Sequence, residues 1–160
     1  MAGLSTATFG SVGPIYAIAV GLDLSQIALF LVVSTVGGMI SQLPAGMLAD
    51  KVPRRIVLLI FSVMASVTCL SMMLPVTNSV VGGIALVYVM SFLFGFTTFP
   101  IYSICAAHAS DFVDQDRMMT LSASLIFLYA TGAIVSPLMA GWIIGVFGPR
   151  MMFSLIAVAH

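Results

Sequence analysis

The chain has 160 residues, of which 61% are hydrophobic and only 6% are charged, and its formal net charge is zero. A soluble domain carries roughly 25% charged residues, so this composition excludes a water-soluble globular protein and predicts an all-α integral membrane protein. The zero net charge leaves neither a basic surface for nucleic acid nor an acidic tail.

Six apolar segments predict one transmembrane helical bundle that comprises residues 1–160. A helix needs about 20 apolar residues to cross a bilayer, so the first five segments predict full spans and the sixth predicts part of one. The first has no flanking charge and the last stops in mid-span, so we expect a fragment of a longer polypeptide. The segments lie near residues 4–21, 25–45, 56–76, 80–106, 119–146 and 150–160.

The connections between the segments alternate in character. Tight turns are predicted at 22–24, 76–79 and 147–149, and longer polar loops at 46–55 and 107–118. Alternate loops lie on the same side of a membrane, so the two longer loops share one side. The positive-inside rule predicts that this side is cytoplasmic, because it holds most of the basic residues. These residues are Lys51, Arg54, Arg55 and Arg117.

Small residues recur every four positions in two segments, which places them on one face of each helix and allows a close helix–helix approach. Pro137 lies within the second of these series, so a conformational hinge stays open as an alternative to tight packing. The two series are Gly37, Ser41, Ala45 and Gly132, Ser136, Ala140.

No Asp, Glu, Lys or Arg lies in the middle of any predicted span, so the residues that could line a solute path are uncharged. A path of this kind would suit a neutral or amphipathic solute. The alternative is that each polar group forms a local hydrogen bond within the bundle. The candidates are Tyr16, Gln42, Thr98, Tyr102 and Tyr129.

The sequence contains no catalytic or phosphate-binding motif, so we predict that the chain is not an enzyme and needs no cofactor or metal. Cys69 and Cys105 lie in apolar segments and are predicted to be small buried residues rather than a disulfide or metal pair. We interpret His108 as a capping or interfacial residue. Three carboxylates in one short loop are a weak cation site, and solvation is the simpler prediction; they are Asp111, Asp114 and Asp116.

The loop between the second and third segments resembles a signature of the major facilitator superfamily. That family's pattern is G-x-x-x-[DE]-[RK]-x-G-[RK]-[RK], in the loop that joins helices two and three of each six-helix half. Pro53 stands where the pattern has glycine, so the turn there must be made differently. The matching residues are Gly46, Asp50, Lys51, Arg54 and Arg55.

Two further stretches extend the resemblance to the whole chain. The fifth segment is similar to the family's Gly-Pro motif of helix five or eleven, with Ser136 in place of a glycine. Residues 99–111 resemble helix ten of bacterial members, many of them exporters or permeases. We therefore expect the C-terminal half of a twelve-helix transporter, with the N-terminal half as the alternative. The helix-five motif comprises Gly132, Ser136, Pro137 and Gly141.

The resemblance implies a six-helix half that moves a small solute by alternating access, as a secondary, ion-coupled transporter of the bacterial inner membrane. Its partners would be the solute, the lipid bilayer, and the missing half or a partner chain. Residues 46–55 would be a conformational latch in which Asp50 pairs with the arginines of its own loop and faces a helix end of the other half. A non-transporting small membrane subunit is the rival interpretation, and an embedded enzyme is a third.

Overall fold

The computed structural model describes residues 2–74 and 80–160, and these residues form a bundle of six α-helices. Short 3₁₀ turns over Gln115–Arg117 and Pro149–Met151 precede the last two helices. Each of the six predicted segments overlaps one helix, which confirms the all-α prediction. The turn predicted at 76–79 lies outside the described residues. The helices are α1 (Ala2–Ala19), α2 (Leu24–Lys51), α3 (Arg54–Met73), α4 (Val80–Ser110), α5 (Met118–Phe147) and α6 (Met152–Ala159).

In the described ranges, four helical stretches are long and apolar enough to cross a membrane. They correspond to the second, third, fourth and fifth predicted spans. Helix α1 has 18 residues, but its serines, threonines and glycines lower its mean hydropathy and it is not among the four. The last apolar helical stretch, Pro149–Ala159, is shorter than a full span.

Both predicted polar loops are shorter than expected because helices extend into them. Helix α2 continues through Lys51, and only two residues separate it from α3. Residues 47–51 are mostly strong helix formers, so the helix persists until Pro53, which disfavours a helical conformation at the residue before it. Val52 is accordingly extended, with φ −123° and ψ 145°. Helix α4 likewise continues to Ser110 rather than ending at residue 106.

Helices α2 and α4 form the closest pair in the bundle and run parallel to each other. The Ser91 hydroxyl donates to the Phe30 carbonyl oxygen over 2.6 Å. One turn further along both helices, a Cβ on Gly95 would collide with the Ser34 carbonyl, so only glycine permits this approach. The predicted series Gly37, Ser41, Ala45 is buried, as expected for a packing face.

Aromatic side chains fill the centre of the bundle. The Phe9 ring of α1 stacks on Phe94 of α4, with ring centroids 4.2 Å apart. It also stacks on Phe30 of α2 at 5.0 Å. Tyr16 meets Phe153 of α6 edge to face at 4.8 Å. These contacts join α1, α2, α4 and α6 into one core.

Helix α5 contributes little to this core. The residues that it buries are Ser136 and Ala140, and its large apolar side chains, such as Phe127 and Trp142, are about two-thirds exposed at 70% and 67%. Its inner face packs on α1, where a Cβ on Gly3 would collide with the Tyr129 carbonyl. Within the described chain, α5 therefore leaves one long apolar face uncovered.

The two cysteines differ in environment. Cys69 is buried, as predicted, whereas Cys105 is exposed and that prediction was wrong. At this level of α4, Ile101 and Ile104 are the residues buried against α2 and α3, and Cys105 lies outside that buried cluster. Both thiols are free in this structure.

Candidate functional site

The loop signature spans the junction of two helices rather than an extended loop. Gly46, Asp50 and Lys51 lie in the last turns of α2, and Arg54 and Arg55 begin α3. Because Val52 is extended and Pro53 has φ −49° and ψ 123°, the chain reverses direction without the positive φ that a glycine would supply. This is how the sequence makes the turn with proline where the family pattern has glycine.

Arg54 forms an ion pair with Asp111, the residue that follows α4, and not with Asp50. Its Nη1 atom lies 2.7 Å from Oδ1 of Asp111 and also donates to the Ala107 carbonyl oxygen. Within residues 2–74 and 80–160, it is the only ion pair whose nitrogen and oxygen atoms lie within 4.0 Å of each other. The expected pairing of Asp50 with an arginine of its own loop is therefore not present. Helix α2 ends at Lys51, so Asp50 and Arg54 do not share the helical register that pairing at four residues apart requires.

A small cleft, which we call the loop cleft, lies between α2 and α4 beside this ion pair and has a volume of about 220 Å³. Asp50 and Arg54 both line it, so the two charges face the same space although they do not form a pair. The absence of a Cβ at Gly46 keeps one wall open. The lining residues are Gln42, Ala45, Gly46, Ala49, Asp50, Arg54, Pro100, Ser103, Ile104 and Ala107.

A larger cavity, which we call the tyrosine cavity, lies among α1, α2, α4 and α5 and has a volume of about 420 Å³. It brings together three of the five predicted path residues, Gln42, Tyr102 and Tyr129. The two tyrosine rings meet edge to face, with centroids 5.3 Å apart. The lining residues are Ala2, Thr6, Gln42, Phe99, Tyr102, Ser103, Ile126 and Tyr129.

The other two predicted path residues line neither cavity. Tyr16 is 1% exposed, and its hydroxyl donates to the Met72 carbonyl oxygen over 3.3 Å. Thr98 is fully buried, and its hydroxyl has no partner in the described part of the chain. The four-residue spacing predicts that Thr98 and Tyr102 share one face of α4. It could not show that neighbouring helices bury Thr98 and leave Tyr102 beside a cavity.

Ser103 and Phe99 line the tyrosine cavity but were not predicted as candidates. A signal for them exists in the sequence, because they are four residues apart and adjoin Tyr102 on one face of α4. The sequence predicts Asp111 as a member of the acidic loop and not as the partner of an arginine. Its partner Arg54 lies 57 positions away, and no local pattern connects the two.

The helix-five motif lies in an uninterrupted stretch of α5. Gly132 approaches Leu4 of α1, where an added Cβ would lie 3.2 Å from the Leu4 nitrogen. Ser136 is buried and Pro137 stands within the helix, which continues to Phe147. Around Gly141, by contrast, a Cβ would meet nothing within 4 Å. The motif thus has one half packed on α1 and one half on a free surface.

The acidic loop shows no metal-binding arrangement. Across the described residues, no group of three or more His, Cys, Asp or Glu side chains could hold a metal ion. The His108 ring instead meets Phe112 edge to face at 5.1 Å. The interpretation of His108 as a capping or interfacial residue stays a prediction.

Comparison with known proteins connects these features to one family. The sequence profile described as "Major Facilitator Superfamily" matches residues 1–160. Among curated proteins, the chain is 25% identical over 144 residues to the uncharacterized MFS-type transporter YcaD of Escherichia fergusonii, which covers 90% of this chain and 35% of that protein. It is 24% identical, with the same coverage, to a YcaD of Salmonella paratyphi B. No solved structure matches.

The aligned part of the chain therefore spans about a third of the length of these relatives. The profile match, the apolar helices and the signature residues at the junction of α2 and α3 all agree. The chain is an integral membrane protein, and it belongs to the major facilitator superfamily.

Proposed function

We propose that the chain forms one six-helix half of a twelve-helix secondary transporter, which moves a small solute across the membrane by alternating access. The observation that carries this proposal is the family match over the whole chain. The relatives are named as transporters and are about three times as long as the aligned segment, which leaves room in them for a second half. Transport is therefore favoured over a non-transporting subunit.

The helix-ten resemblance of residues 99–111 supports assignment to the C-terminal half, with the N-terminal half as the alternative. The solute would cross between the two halves near the bilayer midplane. The tyrosine cavity lies among α1, α2, α4 and α5. It is our candidate for the part of the solute path that this half contributes. The uncovered faces of α5 and the free surface at Gly141 are suited to contact with a second half.

We assign the latch role to the junction of α2 and α3, on the cytoplasmic side of a bacterial inner membrane. Asp50 is exposed and lies one residue before the end of α2. A carboxylate at the C-terminal end of a helix opposes the helix dipole, so Asp50 does not stabilise α2. It would instead favour the N-terminus of a helix in the other half, by about 0.3–1 kcal/mol when exposed. That contact would hold one of the two access states.

The test is solute flux in proteoliposomes containing the intact protein. A mixed extract of small metabolites is supplied outside, and the solutes accumulated inside are identified by mass spectrometry. We expect at least one solute to accumulate, and we expect Asp50→Asn to lower that flux while leaving membrane insertion unchanged. Asp114→Asn is the matched control, because Asp114 is also exposed but lies after α4.

The outcomes separate the two parts of the proposal. Wild-type flux in Asp50→Asn at equal protein level would remove the latch role and leave transport intact. Absence of accumulation of any solute, in either direction of an imposed proton gradient, would contradict the transport function itself.

A further inference from the structure

Most of the polar side chains that line the tyrosine cavity have no hydrogen-bond partner in the described part of the chain. In the described part of the chain, the Gln42 amide and the hydroxyls of Tyr102, Ser103 and Tyr129 form no hydrogen bond. The Thr6 hydroxyl, in contrast, donates a hydrogen bond to the Ala2 carbonyl oxygen over 2.6 Å. Four uncommitted donor and acceptor groups thus converge on one space. Such groups are available to a bound molecule.

Among the described residues, those that line the same cavity carry no charged side chain. None of its lining residues is Asp, Glu, Lys, Arg or His. The nearest charges on the shared walls are Asp50 and Arg54, which line the adjoining loop cleft, and that cleft shares Gln42 and Ser103 with the tyrosine cavity. A charged solute in the tyrosine cavity would therefore gain no counter-charge from the described residues that line it.

Aromatic surfaces form the remaining wall. The edge-to-face pair of Tyr102 and Tyr129 lines this volume together with Phe99. Aromatic side chains bind other rings through offset-stacked or edge-to-face contacts. The volume of about 420 Å³ is within the range of pockets for small organic ligands.

We propose that the tyrosine cavity binds an uncharged, ring-containing solute with hydrogen-bonding groups at its edge. Gln42 and the two tyrosine hydroxyls bind those groups, and the rings of Phe99, Tyr102 and Tyr129 contact the solute's ring. The selectivity against charge follows from the uncharged walls. This inference deepens the proposed transport function and rests on it.

The experiment measures binding of three probes that share one ring and differ in charge: indole-3-acetamide, indole-3-acetate and tryptamine. Equilibrium dialysis with radiolabelled probes is performed on the intact protein in lipid nanodiscs at pH 7. We expect the uncharged amide to bind at least tenfold more tightly than either charged probe. We also expect Gln42→Ala and Tyr102→Ala each to weaken amide binding at least fivefold.

Two variants serve as controls. The first is Leu43→Ala, at the position next to Gln42 in sequence, and the second is Phe127→Ala, on α5. Both wild-type side chains are about three-quarters exposed, at 76% and 70%, and neither lines a cavity. We expect them to leave amide binding unchanged. All four variants are compared at equal yield of folded protein, judged by their elution in size-exclusion chromatography.

Each other result overturns the inference. Equal or tighter binding of the acetate or tryptamine would show that charge is not excluded. Amide binding that survives both cavity variants would show that the probe binds elsewhere. Failure of all three probes to bind up to their solubility limits would contradict a ring-binding cavity of this size. In each case, flux in the proteoliposome experiment would show that the proposed transport function stands independently.

Discussion

The Arg54 guanidinium lies 2.7 Å from the Asp111 carboxylate and so joins the first turn of α3 to the residue after α4. Arg54 also donates to the carbonyl of Ala107, in the last turn of α4. The last four carbonyls of a helix have no partner within the helix, and a positive charge there is favourable. Arg54 therefore caps α4 from a neighbouring helix.

We expect Asp111→Asn to lower the free energy of unfolding by about 0.2–1 kcal/mol, the range measured for exposed ion pairs. The two side chains are 26% and 50% exposed, so solvent screening limits the effect. Unfolding by denaturant in detergent micelles measures the change. Asp114→Asn removes a similar charge from the same loop without breaking this pair and should be neutral. Equal losses in both variants would show that the loop's overall charge, and not the pair, is responsible.

The contact between α2 and α4 predicts a strong dependence on Gly95. A Cβ at this position would collide with the Ser34 backbone carbonyl, so Gly95→Ala must push the two helices apart. We expect a loss of about 1–3 kcal/mol in unfolding free energy, as for overpacked cores. Gly141→Ala adds the same methyl group where nothing lies within 4 Å. It should be neutral or stabilising by up to about 1 kcal/mol, because alanine is the better helix former. Similar stability of the two variants would contradict the close approach.

Tyr16 and Tyr102 are expected to differ in what their hydroxyls do. The Tyr16 hydroxyl is buried and bonds to the Met72 carbonyl over 3.3 Å, so Tyr16→Phe should cost up to about 1 kcal/mol of stability. It should leave solute binding unchanged, because Tyr16 lines neither cavity. Tyr102→Phe should show the reverse pattern: unchanged stability and weaker binding of the uncharged indole probe. Weaker probe binding in Tyr16→Phe but not in Tyr102→Phe would indicate that Tyr16, and not Tyr102, lies on the solute path.

The proposed orientation predicts which residues a membrane-impermeant maleimide can label. In a Cys105→Ser background, Asp114→Cys should react from the cytoplasmic side only. Leu24→Cys, which replaces a side chain that is 84% exposed at the opposite end of α2, should react from the outer side only. Labelling of whole cells and of inverted vesicles distinguishes the two. The opposite pattern would reverse the orientation inferred from the basic residues.

Much of the architecture was predictable because it depends on local composition. The apolar segments predicted the positions of all six helices, and the loop signature predicted the family. The errors concern helix ends: residues 46–51 were assigned to a loop because of their polarity, although their helical propensity extends α2 to Lys51. Polarity reports exposure to solvent or headgroups, and a helix can continue beyond the membrane core.

The sequence alone determined that the chain is a helical membrane protein of this family, since hydropathy, charge placement and the motif at 46–55 are local properties. Only the tertiary structure decided which polar residues meet. It paired Arg54 with Asp111 instead of Asp50, and it gathered Gln42, Tyr102 and Tyr129 around one cavity while burying Tyr16 in the aromatic core. The physical reason is that helical periodicity gives the face on which a residue lies, whereas packing between helices far apart in sequence decides whether that face closes or opens.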